Sequence, residues 1–185
     1  MLSEALQRNA KHEARLSNIS DYSFGFTARQ QPGILRSLRM TVPEITVHNL
    51  QRKISVNVAK LEKFTGNAVQ HSLRLQKGKQ TDLRKAGEVS VWLISDRRMA
   101  LLHRKFLGQS GPTDVLTFQH GEIFISVETA QRHARAFGNS LLRELKLYIV
   151  HGLLHLHRFD DQTPGKAHKM KAAQSKILRA CSRHR

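Results

Sequence analysis

Two patterns of apolar and polar residues take turns along this chain, one typical of strands and one typical of helices. Some stretches alternate apolar with polar residues or form short β-branched runs, which is typical of strands. These stretches cover residues 44–51, 88–95, 113–118 and 120–126, and the last two are expected to pair as neighbours. Elsewhere apolar residues recur every three or four positions, which predicts helices. The predicted helices cover residues 56–75, 96–107 and 141–156, one that begins at Ser126 and stops at Gly138, and one that Pro164 opens.

The segment 141–156 differs from the other predicted helices because it is apolar on nearly every side. Such a helix is expected to be buried at the centre of a domain. The helix after Ser126 has instead one apolar face, formed by Val127, Ala130, Ala134 and Phe137. Residues 76–87 are basic and rich in turn formers, which predicts a loop. The pattern as a whole predicts an α+β fold, a mixed sheet of about four strands packed by helices, with helix 141–156 central.

The first part of the chain lacks these periods. Residues 1–42 mix polar and apolar residues without a sustained pattern, and we expect a poorly ordered N-terminal extension there. Residues 43–185 are expected to form one folded domain, which the length of the chain supports.

Several features favour a cytoplasmic protein. Cys181 is the one cysteine of the chain, so no internal disulfide can form, and this fits a reducing compartment. No apolar run approaches the roughly 20 residues that a membrane-spanning helix requires. The N-terminus lacks the apolar core of a secretory signal, and its acidic residues count against an organellar transit peptide.

The charge balance indicates a polyanionic partner. The chain has 31 Lys and Arg residues against 14 Asp and Glu residues, a net charge of +17. Of these, 25 basic and 11 acidic residues follow residue 42, so the predicted domain itself carries a net charge of +14. A surface of this kind attracts nucleic acid, because each neutralised phosphate releases a condensed counterion. Nucleic-acid contact is therefore favoured over a role in solubility alone.

The segment "HGLLHLHRFDD" (151–161) carries the candidate chemistry. His151 and His155 are four residues apart, so a helix places them on one face, where two imidazoles can bind one Zn²⁺ ion. Asp161 follows closely enough for the chain to fold back and supply a third ligand. His157 is a weaker candidate, because two residues after His155 it points away from the pair.

Two core histidines, each with one hydrogen bond, would give the same spacing, and that alternative stays open. The glutamate that acts as the base in H-E-x-x-H metalloproteases is replaced here by Gly152. This replacement counts against peptide hydrolysis. A glycine at this place allows another group to approach the helix surface closely.

The same segment resembles the H-G-x-L-H-L-x-G-Y-D-H signature of the YbeY family, zinc-dependent endoribonucleases that act in ribosomal RNA maturation. Two upstream segments support the resemblance. "LLHRKFLGQSGPTDVLTF" (101–118) is similar to the family's L-N-x-x-Y-R-G-x-x-x-P-T-D-V-L-S-F segment, and "GEIFIS" (121–126) is similar to its G-D-I-x-I-S strand. The resemblance extends over residues ~44–182 in the same order.

The resemblance implies a site for one Zn²⁺ per chain. His151 and His155 match the family's first two ligands, and Asp161 stands where the family usually has a histidine. Asp160 matches the family aspartate and is expected to orient a ligand imidazole. Arg158 stands where the family has a turn glycine.

The catalytic residues stay unassigned, with Asp160 and Arg104 as weak candidates. The family arginine that is thought to help catalysis or to bind RNA phosphate falls on Leu107 here. Arg104 and Lys105 are close to that position in the sequence and are candidates to replace it. With Arg97 and Arg98 they are expected to hold RNA phosphates beside the metal. Asp114 is expected to brace the turn before its strand.

The function that follows is cleavage of single-stranded RNA in ribosomal RNA maturation and ribosome quality control. The expected partners are precursor rRNA and the ribosome or its proteins, with no membrane and no nucleotide cofactor. One alternative is an RNA- or ribosome-binding factor with little or no hydrolase activity, which the leucine at position 107 motivates. A hydrolase of a peptide or a nucleotide is a further alternative, which Gly152 and the positive charge make less attractive.

Overall fold

The computed structural model describes residues 42–75 and 80–182. The N-terminal extension predicted for residues 1–42 lies outside these ranges, apart from Val42. Residues 76–79 of the predicted loop also lie outside them. Within the described ranges, no helix combines the length and the apolar content that crossing a membrane requires.

The described residues form four strands and six helices, which confirms the α+β prediction. The strands are β1 (Glu44–Asn49), β2 (Glu88–Ile94), β3 (Val115–Phe118) and β4 (Glu122–Ser126). The helices are α1 (Val58–Leu73), α2 (Asp82–Lys85), α3 (Asp96–Leu107), α4 (Val127–Ala136), α5 (Leu141–Leu156) and α6 (Pro164–Ser182). The predicted bounds of α3 and α5 are correct to the residue. The short helix α2 lies in the segment predicted to be a loop.

The strands form one mixed sheet in the order β1-β2-β4-β3. β1 pairs with β2 and β2 with β4 in parallel, and β3 pairs with β4 in antiparallel orientation. The β3–β4 turn needs a glycine, because Gly121 has a φ of +102° and a Cβ there would lie 2.3 Å from the carbonyl oxygen of Glu88. The expected pairing of these two strands is confirmed.

Helices cover the two faces of the sheet unequally. Helices α1, α5 and α6 pack together on one face and form the main apolar core with the inward side chains of the sheet. Those inward side chains are Val47, Val89, Val91, Leu93, Val115, Ile123 and Ile125. Helix α3 packs on the opposite face, through an apolar cluster of Met99 and Leu102 with Ile94, Leu116 and Phe124. The sheet therefore separates α3 from α5.

Small polar residues begin most of the helices. Side-chain oxygens of Asn57, Thr81, Ser95, Ser126 and Ser140 accept hydrogen bonds from backbone N–H groups of the first helical turns. Ser126, at which a helix was expected to begin, is among them. One detail of α4 was predicted wrongly. Phe137 was placed on the buried face, but it lies after the last helical residue and is 57% exposed.

Helix α5 is the buried central helix that the sequence predicts. It packs against α1, α4 and α6 and against the strands β3 and β4. Gly152 lies where this helix comes closest to the sheet, and a Cβ there would be 2.8 Å from Cγ2 of Ile123 and 3.1 Å from Oγ1 of Thr117. The close approach that this glycine was expected to allow is that of the sheet beneath α5.

The turn after α5 is made by an unusual residue. Arg158, which stands at the family's glycine position, has a φ of +63°. This left-handed conformation costs an L-residue roughly 1–2 kcal/mol, and a glycine adopts it freely. Its guanidinium lies 3.9 Å from a carboxylate oxygen of Asp82, an exposed contact that contributes little.

We expect Gly152→Ala to destabilise the protein. Overpacking against the sheet costs about 1–3 kcal/mol, and the gain in helix propensity of up to about 1 kcal/mol only partly offsets it. Gly66→Ala in α1 is the matched control, because a Cβ there meets nothing within 4 Å. It should gain up to about 1 kcal/mol. Equal effects of the two substitutions on urea unfolding would contradict the close packing at Gly152.

We expect Arg158→Gly to be more stable than Arg158→Ala by about 1 kcal/mol. Both variants lose the contact with Asp82, and the alanine variant keeps the left-handed strain. Thermal unfolding of the pair isolates the backbone contribution, and a more stable alanine variant would show that the turn has changed conformation.

Candidate metal centre

Two imidazoles face each other in the last turns of α5. Nε2 of His151 and Nε2 of His155 are 2.9 Å apart, as the spacing of four residues on a helix allows. The rings meet edge to face, with their centres 4.6 Å apart. His151 is buried and His155 is partly buried.

A glutamine on α6 holds the other nitrogen of His151. Nδ1 of His151 lies 3.3 Å from Oε1 of Gln174, and both side chains are buried. Since a carbonyl oxygen only accepts hydrogen bonds, this contact requires the proton to be on Nδ1. The lone pair of the imidazole is then on Nε2, which points towards His155.

Burial keeps both rings uncharged at neutral pH. Desolvation lowers the pKa of His151, against the opposing influence of the Asp114 carboxylate and the hydrogen bond to Gln174. Desolvation, together with the neighbouring His151, lowers the pKa of His155 to about 4. His155 also hydrogen-bonds to the backbone of Phe159. Neutral imidazoles are the form that binds metal ions.

Asp161 completes a group of three possible ligands. It lies between α5 and α6, and its Oδ2 is 4.0 Å from Nε2 of His151. One ligand atom from each of His151, His155 and Asp161 lies within 4.8 Å of the others. Burial raises the pKa of the Asp161 carboxyl, and the nearby Asp160 and Asp114 add to this while His155 opposes it.

The three side chains fit a divalent transition metal. Ligand distances of about 2.0–2.2 Å around a tetrahedral ion imply ligand–ligand separations of roughly 3.3–3.6 Å. The observed separations of 2.9 Å and 4.0 Å are on either side of that range. Two imidazole nitrogens and one carboxylate oxygen are ordinary zinc donors, and a set of three leaves a fourth position open. The sequence prediction that these residues converge is therefore supported by the geometry.

Asp160, one of the two weak catalytic candidates, is held by Lys166 and by the backbone. Its Oδ2 is 2.7 Å from Nζ of Lys166, and its Oδ1 accepts a hydrogen bond from the backbone N–H of Gln162. Partial burial raises the pKa of Asp160, but these two hydrogen bonds together with the charges of Lys166 and His155 lower it overall. The role expected of Asp160, to orient a ligand imidazole, stays a prediction.

The basic residues of α3 lie on a helix that packs on the sheet face opposite to α5. Arg104 is exposed there, and Leu107 packs against the apolar cluster beneath α3. The expectation that α3 holds phosphates next to the metal stays a prediction.

His157 and Asp114 hold neighbouring segments together, and for Asp114 this is the role that the sequence suggested. The His157 ring is fully buried, with Nδ1 3.0 Å from Oγ1 of Thr81 and Nε2 3.1 Å from the carbonyl oxygen of Leu75. These two contacts connect the end of α5 to the residues on either side of the segment that precedes α2. Asp114 accepts hydrogen bonds from the Thr113 hydroxyl and from the backbone N–H of Val115, which braces the start of β3.

Sequence reasoning missed Gln174. Its neighbours on the same side of α6, Met170, Ile177 and Cys181, are buried and apolar. A glutamine at helical spacing within such a face is a buried polar residue that needs a hydrogen-bond partner. This pattern is the sequence feature from which a role for Gln174 could have been predicted.

Comparisons with known proteins agree with this site. A family model described as Endoribonuclease YbeY matches residues 46–182. Curated relatives include Endoribonuclease YbeY of Moorella thermoacetica, 39% identical over 110 residues, which covers 49% of this chain and 70% of the relative. Endoribonuclease YbeY of Anaeromyxobacter sp. strain Fw109-5 is 36% identical over 103 residues, 50% of this chain and 54% of the relative. The chain thus spans little more than half the length of that relative.

A plant protein and a solved structure extend the comparison. Endoribonuclease YBEY, chloroplastic, of Arabidopsis thaliana is 30% identical over 152 residues, 73% of this chain and 26% of the plant protein. The solution structure of TM1509 from Thermotoga maritima superposes with a TM-score of 0.50 at 25% identity and covers 72% of this chain and 88% of that one.

We expect Gln174→Met to weaken zinc binding by about 10–100-fold, because His151 loses the acceptor that fixes its tautomer. Gln174→Glu keeps an acceptor and should bind zinc at least as well as the parent chain. Competition with a chromophoric chelator measures the affinity, and Lys171→Met, at an exposed position of the same helix, is the control. Unchanged affinity in Gln174→Met would remove the glutamine from the metal centre.

Proposed function

This chain belongs to the YbeY endoribonuclease family, and on that premise we propose that it is a zinc-dependent endoribonuclease that cuts single-stranded RNA during ribosomal RNA maturation. The observation that carries the proposal is the convergence of His151, His155 and Asp161 on one point at the end of α5. The family match spans these residues.

Each of the three residues would hold the ion through a different local arrangement. His151 offers Nε2 because Gln174 occupies its Nδ1, and His155 offers Nε2 because its ring faces His151. Asp161 offers a carboxylate from the connection between α5 and α6. A divalent ion bound there supplies Lewis-acid polarisation of a phosphoryl oxygen and activation of water.

The protein itself contributes a pre-arranged and partly dry site. Burial around α5 keeps the imidazoles neutral, so their lone pairs are available without prior loss of a proton. Asp114 and Asp160 act on the site through charge, and both raise the pKa of Asp161. An incoming cation would relieve the repulsion among these three carboxylates, which favours its binding.

RNA is the substrate class that the charge supports. The chain has a net charge of +17, and α6, which follows the candidate ligands, contains no acidic residue. Its exposed basic residues are Lys166, Lys169, Lys171, Lys176 and Arg179. Precursor rRNA and the ribosome or its proteins are the partners that we propose, and such binding should weaken steeply with salt.

The proposal includes a cytoplasmic location. The single cysteine, Cys181, is buried and unpaired, which fits a reducing compartment. The plant relative is described as chloroplastic, so an organelle is the alternative that cell fractionation would test.

We expect His155→Ala and Asp161→Ala to lose both bound metal and RNA cleavage. The parent chain should contain about one equivalent of zinc by elemental analysis. Asp161→His, which installs the family's usual ligand, should keep the metal. His168→Ala, at an exposed position of α6, is the control and should change neither property.

The outcomes separate the candidate functions. Cleavage that persists in metal-free His155→Ala would remove the metal from the mechanism. A parent chain that holds zinc and binds RNA with a steep salt dependence, yet never cuts it, would instead be a binding factor. That second function is favoured by the packing of Leu107, which places an apolar side chain where the family has an arginine.

A further inference from the structure

The sheet face opposite the candidate metal centre carries a row of aromatic rings. His48 of β1, Trp92 of β2 and Phe124 of β4 are direct neighbours in the strand register. His48 and Trp92 stack with ring centres 4.1 Å apart and planes at 19°, and Trp92 and Phe124 are also near parallel at 6.1 Å. Phe118 of β3 meets Phe124 edge to face. The row therefore crosses all four strands.

Helix α3 covers this row incompletely. Its Phe106 packs on Phe118 with ring centres 4.9 Å apart, and Trp92 packs against the apolar cluster that contains Met99 of the helix. His48 is at the other end, on the edge strand β1, and both His48 and Trp92 are partly exposed. Within residues 42–75 and 80–182 the stack of rings ends at His48.

Cations and an exposed apolar side chain surround this open end. Nη1 of Arg98 on α3 is 3.5 Å from the carbonyl oxygen of Leu50, two residues after His48. Arg52 follows on the same chain segment with an exposed side chain. Leu101, three residues after Arg98 and thus its neighbour on the helix surface, is 51% exposed.

Carboxylates lie at both ends of this face. Glu44 and Glu88 lie at the N-terminal ends of β1 and β2. Glu122, at the start of β4, hydrogen-bonds to the Trp92 side chain.

The carboxylates at the C-terminal ends of the strands are paired with other cations. Asp96 pairs with Arg132, and Glu128 pairs with Lys53. Arg98 and Arg52 lie at this same end, so their charges are left to attract a phosphate group there.

We propose that the His48–Trp92 stack, with Arg98 and Arg52 beside it, binds an unpaired nucleotide of single-stranded RNA. An exposed aromatic ring on a sheet accepts a base of any identity by stacking, and flanking arginines contact the phosphates. The choice of RNA as the ligand rests on the proposed function. The surface is separate from the candidate metal centre, because the two lie on opposite faces of the sheet, so it would anchor RNA and not cut it.

Trp92 is the one tryptophan of the chain, so its emission reports directly on this surface. We expect an unpaired oligoadenylate of about ten nucleotides to quench this emission in the full chain, and a blunt RNA duplex to have little effect. Anisotropy of a labelled oligonucleotide measures affinity in parallel, and a gel after each titration checks that the RNA is intact.

His48→Ala should weaken binding of the oligoadenylate about tenfold, and His48→Phe, which keeps an aromatic ring, should stay within about twofold of the parent chain. Arg98→Gln should lower the salt slope of binding by about one. Arg135→Gln, at an exposed position of α4, removes the same charge elsewhere and serves as the control. Thermal unfolding confirms that each variant is folded.

Unchanged Trp92 emission at saturating RNA would overturn the proposal. Equal affinities of His48→Ala and His48→Phe for the oligoadenylate would overturn it as well. Neither result touches the proposed function, which metal content and cleavage by the parent chain decide. Conversely, quenching of Trp92 in a chain that never cuts RNA would support this surface and reject the nuclease.

Discussion

The structure depends on the burial of α5. A helix that is apolar on nearly every side is stable when other elements cover most of it, and here α1, α4, α6 and the sheet bury every residue from Tyr148 to Leu154. The same burial removes water from His151 and His155 and lowers the pKa of both rings. Core packing and ligand chemistry are therefore one property of this helix: the contacts that stabilise the fold also keep two imidazoles neutral and fixed.

Closure of the site depends on the short connection after α5. The helix ends at Leu156, and the chain must reverse direction to bring Asp161 back towards His151. Arg158 makes this reversal in a left-handed conformation, while His157 anchors its side chain against Thr81 and Leu75. The returning helix α6 then supplies Gln174 to the ligand His151. Several residues near the site thus act by setting the path of the chain and not by touching a substrate.

Much of this arrangement could be predicted from the sequence, for reasons that differ between residues. The bounds of α3 and α5 were predictable because Ser95 and Ser140 are strong caps and the apolar periods are long. The convergence of His151 and His155 follows from helix geometry alone. The placement of Arg104 did not follow, because local periodicity does not say which face of a sheet a helix will cover. The hydrogen-bond partner of His151 could not be predicted either. Gln174 is 23 residues away in the sequence and joins the site only because α6 packs on α5.

The opposite positions of α3 and α5 have a consequence for how RNA can be held. A metal centre with three protein ligands and a buried helix beneath it has few basic groups of its own, because buried cations would require partners. The arginines of α3 are on a helix that packs on the other face of the sheet, and Leu107 supplies no charge. Affinity for a long anionic polymer must then come from exposed cations elsewhere on the domain, among them those of α6 and those at the end of β1. Binding and chemistry would be distributed over different faces of one sheet, and a single strand that engages both faces must pass around an edge of the domain. Under the proposed function, this geometry would favour flexible, unpaired RNA over a stiff duplex, which is the substrate preference that the stacked rings on the far face would also impose.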